Sequence, residues 1–198
     1  MKIIGFVDTH GSLSALNKVI RKSKNSDLVA CVGDISVFEQ NLGYSIKKLA
    51  KTGKLVLIIP GNHEHPSVLN YLCKRYKNIK QIHGRAYVLN GYVFIGYGGG
   101  GFSVSDNRLR KLSKRLVKFM KKHRNKKLIL LTHAPPYRTK LDKLGNQHVG
   151  NKEVKRLIKK LKPLVVICGH LHENSGRRQK LGKTLIINPG PYGRIVKV

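Results

Sequence analysis

Leu55-Val56-Leu57-Ile58-Ile59-Pro60-Gly61-Asn62-His63-Glu64 is the stretch on which the reading of this chain turns. Five consecutive apolar residues, rich in β-branched side chains, read as a strand buried on both faces, the kind found in parallel sheets. Pro60-Gly61 ends it, since proline removes a ladder donor and glycine opens a turn. An amide, an imidazole and a carboxylate follow at once. Ligands of open α/β sheets bind at the carboxyl ends of the strands, so this strand end marks a candidate site.

Four other apolar runs end the same way. Lys2–Val7 delivers Asp8 and His10, Leu28–Val32 delivers Gly33-Asp34, Leu128–Leu131 delivers Thr132-His133, and Leu164–Ile167 delivers Cys168-Gly169-His170-Leu171-His172. Residues two apart in extended backbone point to one side, so Asp8 with His10, and His170 with His172, can each face one cation. Carboxylate, imidazole and amide oxygen together suit two divalent ions of the manganese, iron, zinc or nickel kind rather than calcium. A carboxylate such as Asp34 can bridge two ions, and ions about 3.5–4 Å apart clamp a phosphate, activate water and stabilise the leaving oxygen. His63, beside the candidate ligand Asn62, is free to protonate that leaving group. Asp-x-His or His-x-His alone reads as ordinary structure, while Gly-Asn-His-Glu behind a buried strand leans to function; all five strand ends together point to one site. His65, His83 and His123 lack such placement and read as surface or capping residues.

The connections between these strands alternate in type. Ser12 caps a helix carrying Leu13, Leu16, Val19 and Ile20, and Ile46 and Leu49 mark a second that ends near Gly53. His65-Pro66-Ser67 opens a third with Val68, Leu69 and Leu72. From Ile79 the period changes to a hairpin, Ala86–Leu89 and Tyr92–Tyr97, joined by Asn90-Gly91. Gly98 to Gly101 reads as a flexible turn. A basic helix over about Asp106–His123 buries Leu109, Leu112, Leu116, Val117 and Met120, and Asn151 caps another with Val154, Leu157, Ile158 and Leu161. Thr184–Ile187 and Arg194–Val198 are closing strands. Residues Tyr137 to Gly150 show no period, and loops of this length are often functional. Lys140 and His148 are their candidate phosphate contacts. Strand–helix alternation predicts an α/β class, and the paired strands near Asn90 and at the C-terminus predict a mixed, two-sheet core in a single domain over 1–198.

The charge is unusual: 40 Lys and Arg against 9 Asp and Glu give +31. Such a field attracts polyanions. General surface basicity is the favoured explanation, with a polyanionic partner as the alternative. Three cysteines form no disulfide framework and suit a reducing compartment. No signal-peptide pattern opens the chain, and no apolar run approaches the ~18 residues of a membrane span. The expectation is a cytoplasmic, soluble protein with no membrane partner; its oligomeric state is not legible.

These motifs as a set, Asp8-x-His10, Gly33-Asp34, Gly61-Asn62-His63-Glu64, Thr132-His133 and Gly169-His170-x-His172, resemble the calcineurin-like metallophosphoesterase superfamily over nearly the whole chain. The resemblance implies a four-layer α/β/β/α sandwich with two mixed β-sheets. It implies one metal held by Asp8, His10, Asp34 and His172, a second held by Asp34, Asn62, His133 and His170, and His63 as the catalytic histidine, with manganese the first candidate. Further segments, among them Asp8-Thr9-His10-Gly11-Ser12-Leu13, His133-Ala134-Pro135-Pro136-Tyr137 and Asn188-Pro189-Gly190-Pro191, are similar to the archaeal Icc-related predicted phosphoesterases. The protein phosphatases of the superfamily follow Gly-Asp with a second Asp and an Arg. Here Ile35-Ser36-Val37-Phe38 follows instead, which argues against a protein phosphatase and leaves the phosphate-gripping residue unassigned. The expected function is metal-dependent hydrolysis of a phosphomonoester or phosphodiester, with a small ester or nucleotide as substrate. The alternatives are a nuclease of the same chemistry, favoured by the charge, and a non-catalytic scaffold of the same fold, disfavoured by the retained His63 and metal positions.

Overall fold

The computed structural model describes residues 1–198. Its first sheet takes β1 (Lys2–Phe6), β2 (Leu28–Cys31), β3 (Leu55–Ile58) and β4 (Ile79–Gln81), all parallel, with β13 (Arg194–Lys197) antiparallel on the β1 edge. The second sheet runs β11 (Arg178–Leu181), β12 (Thr184–Ile187), β10 (Val165–Ile167), β7 (Lys127–Thr132), β6 (Tyr92–Tyr97), β5 (Arg85–Leu89). Its four middle strands are parallel, and β11 and β5 are antiparallel edges. Both sheets are mixed, as expected. Within these two sheets, the strands the sequence does not predict are β4, three residues long, and β11, Arg178-Gln179-Lys180-Leu181, which carries two cations on a sheet edge.

Side-chain alternation along each strand builds three apolar layers. Ile3, Leu28, Ala30 and Leu57 of the first sheet meet Phe94, Ile129, Leu131, Val165 and Ile167 of the second, forming the core between the sheets. The intervening residues Ile4, Phe6, Val29, Cys31, Val56 and Ile58 face outward onto α1 (Leu13–Ser23), α2 (Leu42–Ala50) and α3 (Pro66–Cys73). On the far side Val93, Ile95, Leu130 and Val166 take α4 (Asn107–Lys122) and α5 (Lys152–Leu161) through Leu109, Leu116, Val154, Leu157 and Ile158. The result is the four-layer α/β/β/α arrangement. Helix starts follow the sequence: Ser12 Oγ accepts from Ala15 N, Asp106 Oδ1 from Leu109 N, and Asn151 Oδ1 from Glu153 N and Val154 N.

The two sheets meet at the carboxyl ends of β1, β2, β3, β7 and β10. His133 Nδ1, from the second sheet, donates to Val32 O of the first at 2.9 Å, and Gly169 N donates to His133 O at 2.9 Å. This is where five loops carrying ionisable residues are forced together.

Phe94 is fully buried between the sheets. Phe94→Ala is expected to cost about 3–5 kcal/mol in chemical denaturation, whereas Val88→Ala, exposed on the β5 edge, should stay within about 0.5 kcal/mol.

Candidate metal centre

Backbone strain is concentrated at these strand ends. Asp8, His10, Asp34 and His170 all sit in the left-handed region, with φ of 56°, 44°, 49° and 73°. Asp and His tolerate this conformation better than most side chains, and such departures gather where function over-determines the backbone.

Glu64 holds the loops in place. It is buried, and its Oε2 accepts from Asp34 N at 3.0 Å and Gly61 N at 2.8 Å, while Oε1 accepts from Ser36 N at 3.0 Å and Ser36 Oγ at 2.8 Å. One carboxylate thereby ties the loop after β2 to the loop after β3. The contact is close enough that a Cβ on Gly61 would run into the Asp34 carboxylate, and one on Gly33 into the Gly61 backbone. Sequence reasoning quoted Glu64 but gave it no role. Its place three residues after Gly61, behind the Pro60-Gly61 strand end, was the available signal.

The donor atoms converge. Asp34 Oδ2 lies 3.3 Å from His133 Nε2 and 3.9 Å from His10 Nε2. Asn62 Oδ1 is 3.0 Å from His133 Nε2, and His10 Nε2 is 2.9 Å from His172 Nε2. Three groups of potential ligands have atoms within 4.8 Å of one another: Asp8, His10 and His172; His10, Asp34 and His63; Asp34, His133 and His170. Asp34 belongs to two of them. Val32 O can only accept, so His133 Nδ1 carries a proton and its Nε2 faces Asp34 and Asn62 with a lone pair whenever the ring is neutral. Asp8 Oδ1 and His170 Nε2 are buried with no hydrogen-bond partner. Unsatisfied buried acceptors among converging carboxylate, imidazole and amide groups are what a divalent cation satisfies, so the residues present fit metal binding.

The electrostatics push the two carboxylates apart. Burial raises Asp8 to about 6, helped by the Asp34 charge and opposed by His133 and His172. For Asp34 burial also works upward, but the hydrogen bond and charge of His133 and the His63 N–H outweigh it and bring the group to about 2. Burial lowers His170 to about 4, and the charge of His133 lowers it further. Burial also lowers His10. His133 is raised: burial opposes its charge, but Asp34 and Asp8 overcome that.

All eight strand-end residues are therefore brought to one place: Asp8, His10, Asp34, Asn62, His63, His133, His170 and His172. His63 N donates to Asp34 Oδ1 at 3.0 Å, and its ring meets His10 edge-on at 4.9 Å. Lys140 and His148 belong to the loop between β7 and α5. His148 Nδ1 lies 2.7 Å from Oδ1 of the buried Asp142, which also accepts from Arg138 N, Thr139 N and Gly150 N. Lys140 is exposed, and its backbone N–H donates to Gln179 Oε1. Far from being structureless, this loop contains a small hairpin, β8 (Lys143–Leu144) with β9 (Gln147–His148). Asn174 Nδ2 pins it by donating to Leu141 O and Lys143 O.

Two other readings change. Gly98 to Gly101 is a wall rather than a loose turn: Gly99 N donates to Pro60 O, and a Cβ on Gly98 would strike Pro60. His83 is half-buried, accepts from Gly98 N at 3.0 Å and stacks on Tyr97. Beside Asn62 these elements enclose a polar cavity of about 580 Å³ that also receives Asp106 and Arg108.

Comparison with known proteins agrees with this geometry. The family model for calcineurin-like phosphoesterases matches residues 1–174. An uncharacterized protein of Methanocaldococcus jannaschii is 30% identical over 99% of this chain and 91% of its own. A probable glycerophosphodiester phosphodiesterase of Arcobacter nitrofigilis is 28% identical over 85% of this chain and 65% of its own. The crystal structure of a dimetal phosphatase from Danio rerio superposes with a TM-score of 0.70 over 94% of this chain and 86% of that one; at 12% identity this speaks for the fold alone.

The shifted carboxylate gives a test. Asp8 has a folded pKa of about 6 against an ordinary 3.8, so its ionisation destabilises the metal-free fold as pH rises through that window. Asp8→Asn should raise the Tm of metal-free protein by a few degrees at pH 8 and change it little at pH 4. In the presence of manganese the sign at pH 8 should reverse, because the substitution removes a ligand charge. Differential scanning fluorimetry at both pH values, with and without metal, checks it.

Proposed function

This chain belongs to the calcineurin-like phosphoesterase family, and on that premise we propose that it hydrolyses phosphoesters with a dinuclear metal centre. Family membership makes it a phosphoric ester hydrolase working with divalent metals. The proposal adds the ligand assignment: Asp8, His10, Asp34 and His172 for one ion, and Asp34, Asn62, His133 and His170 for the other, manganese being the first choice and iron, zinc or nickel the alternatives. The observation that carries it is Asp34, which groups with His10 and His63 on one side and with His133 and His170 on the other, beside two buried atoms, Asp8 Oδ1 and His170 Nε2, that have no hydrogen-bond partner.

When bound, such a pair of ions neutralises phosphate charge and makes water nucleophilic at neutral pH. The protein's own contributions follow from the contacts above. Val32 O fixes the His133 tautomer. Glu64 holds the Asp34 loop against the Asn62 loop. His63 fills neither ligand set. Its Nδ1 accepts from Phe38 N at 3.4 Å, which leaves Nε2 to carry the proton delivered to the leaving oxygen. Arg108, lining the cavity beside Asn62, is a candidate phosphate contact in addition to Lys140 and His148, the second of which has its Nδ1 turned onto Asp142. The retained donors count against a non-catalytic scaffold.

Turnover of bis-p-nitrophenyl phosphate should appear with manganese and vanish with chelator; unchanged turnover in metal-free protein rejects the proposal. His63→Gln should keep two metals per chain and lose at least ~100-fold in rate, whereas Asp34→Asn should lose metal. Metal content by mass spectrometry alongside kinetics separates the two roles.

A nucleic-acid substrate is the second reading, and one observation favours it. A cleft of about 530 Å³ between the C-terminal ends of α4 and α5 is lined by Lys121, Arg124, Lys126, Lys127, Lys160, Lys162 and Lys183, with no acidic residue among its walls. Cations at helix C-termini also offset the helix dipole, so the test is binding itself. Affinity for random duplex DNA should fall with salt at about −0.9 in log–log slope per phosphate contacted, with little sequence preference. Absence of binding at ~50 mM salt leaves these charges as solvated surface.

A further inference from the structure

Of the five phenylalanines, Phe6 and Phe94 are fully buried, while Phe38 and Phe102 stand 74% and 62% exposed. Neither exposed ring belongs to, or packs against, any of the three apolar layers. Both lie against imidazoles of the candidate centre instead. The Phe38 ring is 4.6 Å from the His63 ring, and the Phe102 ring is 4.6 Å from the His170 ring, edge-on. They arrive from separate loops on the two sheets, one on the His63 side of Asp34 and one on the His170 side.

Holding them there is costly. Phe38 has φ of 46°, a conformation that a bulky side chain seldom adopts. Its loop is kept in place by Phe38 N donating to His63 Nδ1 and by His65 N donating to Glu39 Oε1 at 2.7 Å. Phe102 rides on the glycine wall packed against Pro60. A ring serving only to shield an imidazole would itself be covered on its outer face; these two leave most of their surface to solvent. Exposed apolar surface rimming a polar site marks a binding element.

We infer that Phe38 and Phe102 are stacking platforms that select phosphoesters bearing a flat aromatic group, of which a nucleobase is the biological class, over alkyl esters of equal charge. The inference rests on the phosphoesterase reading above and adds the substrate's organic half. Stacking of a base on an aromatic side chain changes affinity by about tenfold or more and tolerates any base.

The test compares two product-like inhibitors that differ only in the base, adenosine 5′-monophosphate and ribose 5-phosphate, against turnover of bis-p-nitrophenyl phosphate by the manganese-loaded protein. Wild type should bind the nucleotide at least ~10-fold tighter. Phe38→Leu and Phe102→Leu, which keep apolar bulk and the same Cβ, should each reduce that ratio severalfold, whereas Phe38→Trp and Phe102→Trp should preserve it. Equal inhibition by both compounds in an active wild type overturns the inference, as does a ratio that survives both leucine substitutions. Absence of turnover with manganese rejects the underlying phosphoesterase reading instead, so the two failures are distinct.

Discussion

The site depends on one buried carboxylate that faces no cation. Glu64 spends both oxygens on N–H and O–H groups of three residues in two loops: Asp34 and Ser36 in one, Gly61 in the other. A buried carboxylate is tolerable only when its lone pairs are filled this way. In exchange it fixes the distance between the loop that presents Asp34 and the loop that presents Asn62 and His63. Glycines at 33 and 61 complete the arrangement, since any Cβ there would occupy the space the two loops share.

Around that anchor the centre is built against its own stability. Five imidazoles and two carboxylates meet in a partly buried cluster, and burial pushes Asp8 up to about 6 and His170 down to about 4. Two acceptor atoms remain without partners, and four residues hold left-handed backbone. Each of these features is a cost that a divalent cation would relieve by replacing protons and satisfying lone pairs. Such costs are affordable because the three apolar layers behind the site are extensive, and because strain at strand ends does not propagate into the ladders.

The basic surface is organised as well as abundant. Several cations line a cleft without acids at the far end of α4 and α5, while the rim of the metal centre offers exposed aromatic rings and Arg108. Position along β7 separates the two: Lys127 opens the strand at the cleft, and His133 follows its other end at the centre. An anionic ligand therefore meets two different chemistries on one molecule, bare charge at one end and charge with stacking surface at the other.

The sequence alone determined the α/β class, the mixed two-sheet core and the candidate ligands. Buried parallel strands betray themselves as continuous apolar runs, and a polar residue immediately after such a run is conspicuous, so Asp8, His10, Asp34, Asn62, His63, His133, His170 and His172 were all legible. Helix caps at Ser12 and Asn151 and the Asn90-Gly91 hairpin were legible for the same reason: their signals are local. What only the tertiary structure decided is long-range. Glu64 as the clasp between loops, His83 against Gly98 and the glycine run as a wall on Pro60 all involve groups meeting across loops or across the two sheets. Strands β4 and β11 were hidden because each is short and its apolar content comes from a neighbour. Phe38 and Phe102 could not be told from core phenylalanines by composition, since exposure depends on where two loops end up relative to five strand ends, and no local pattern records that.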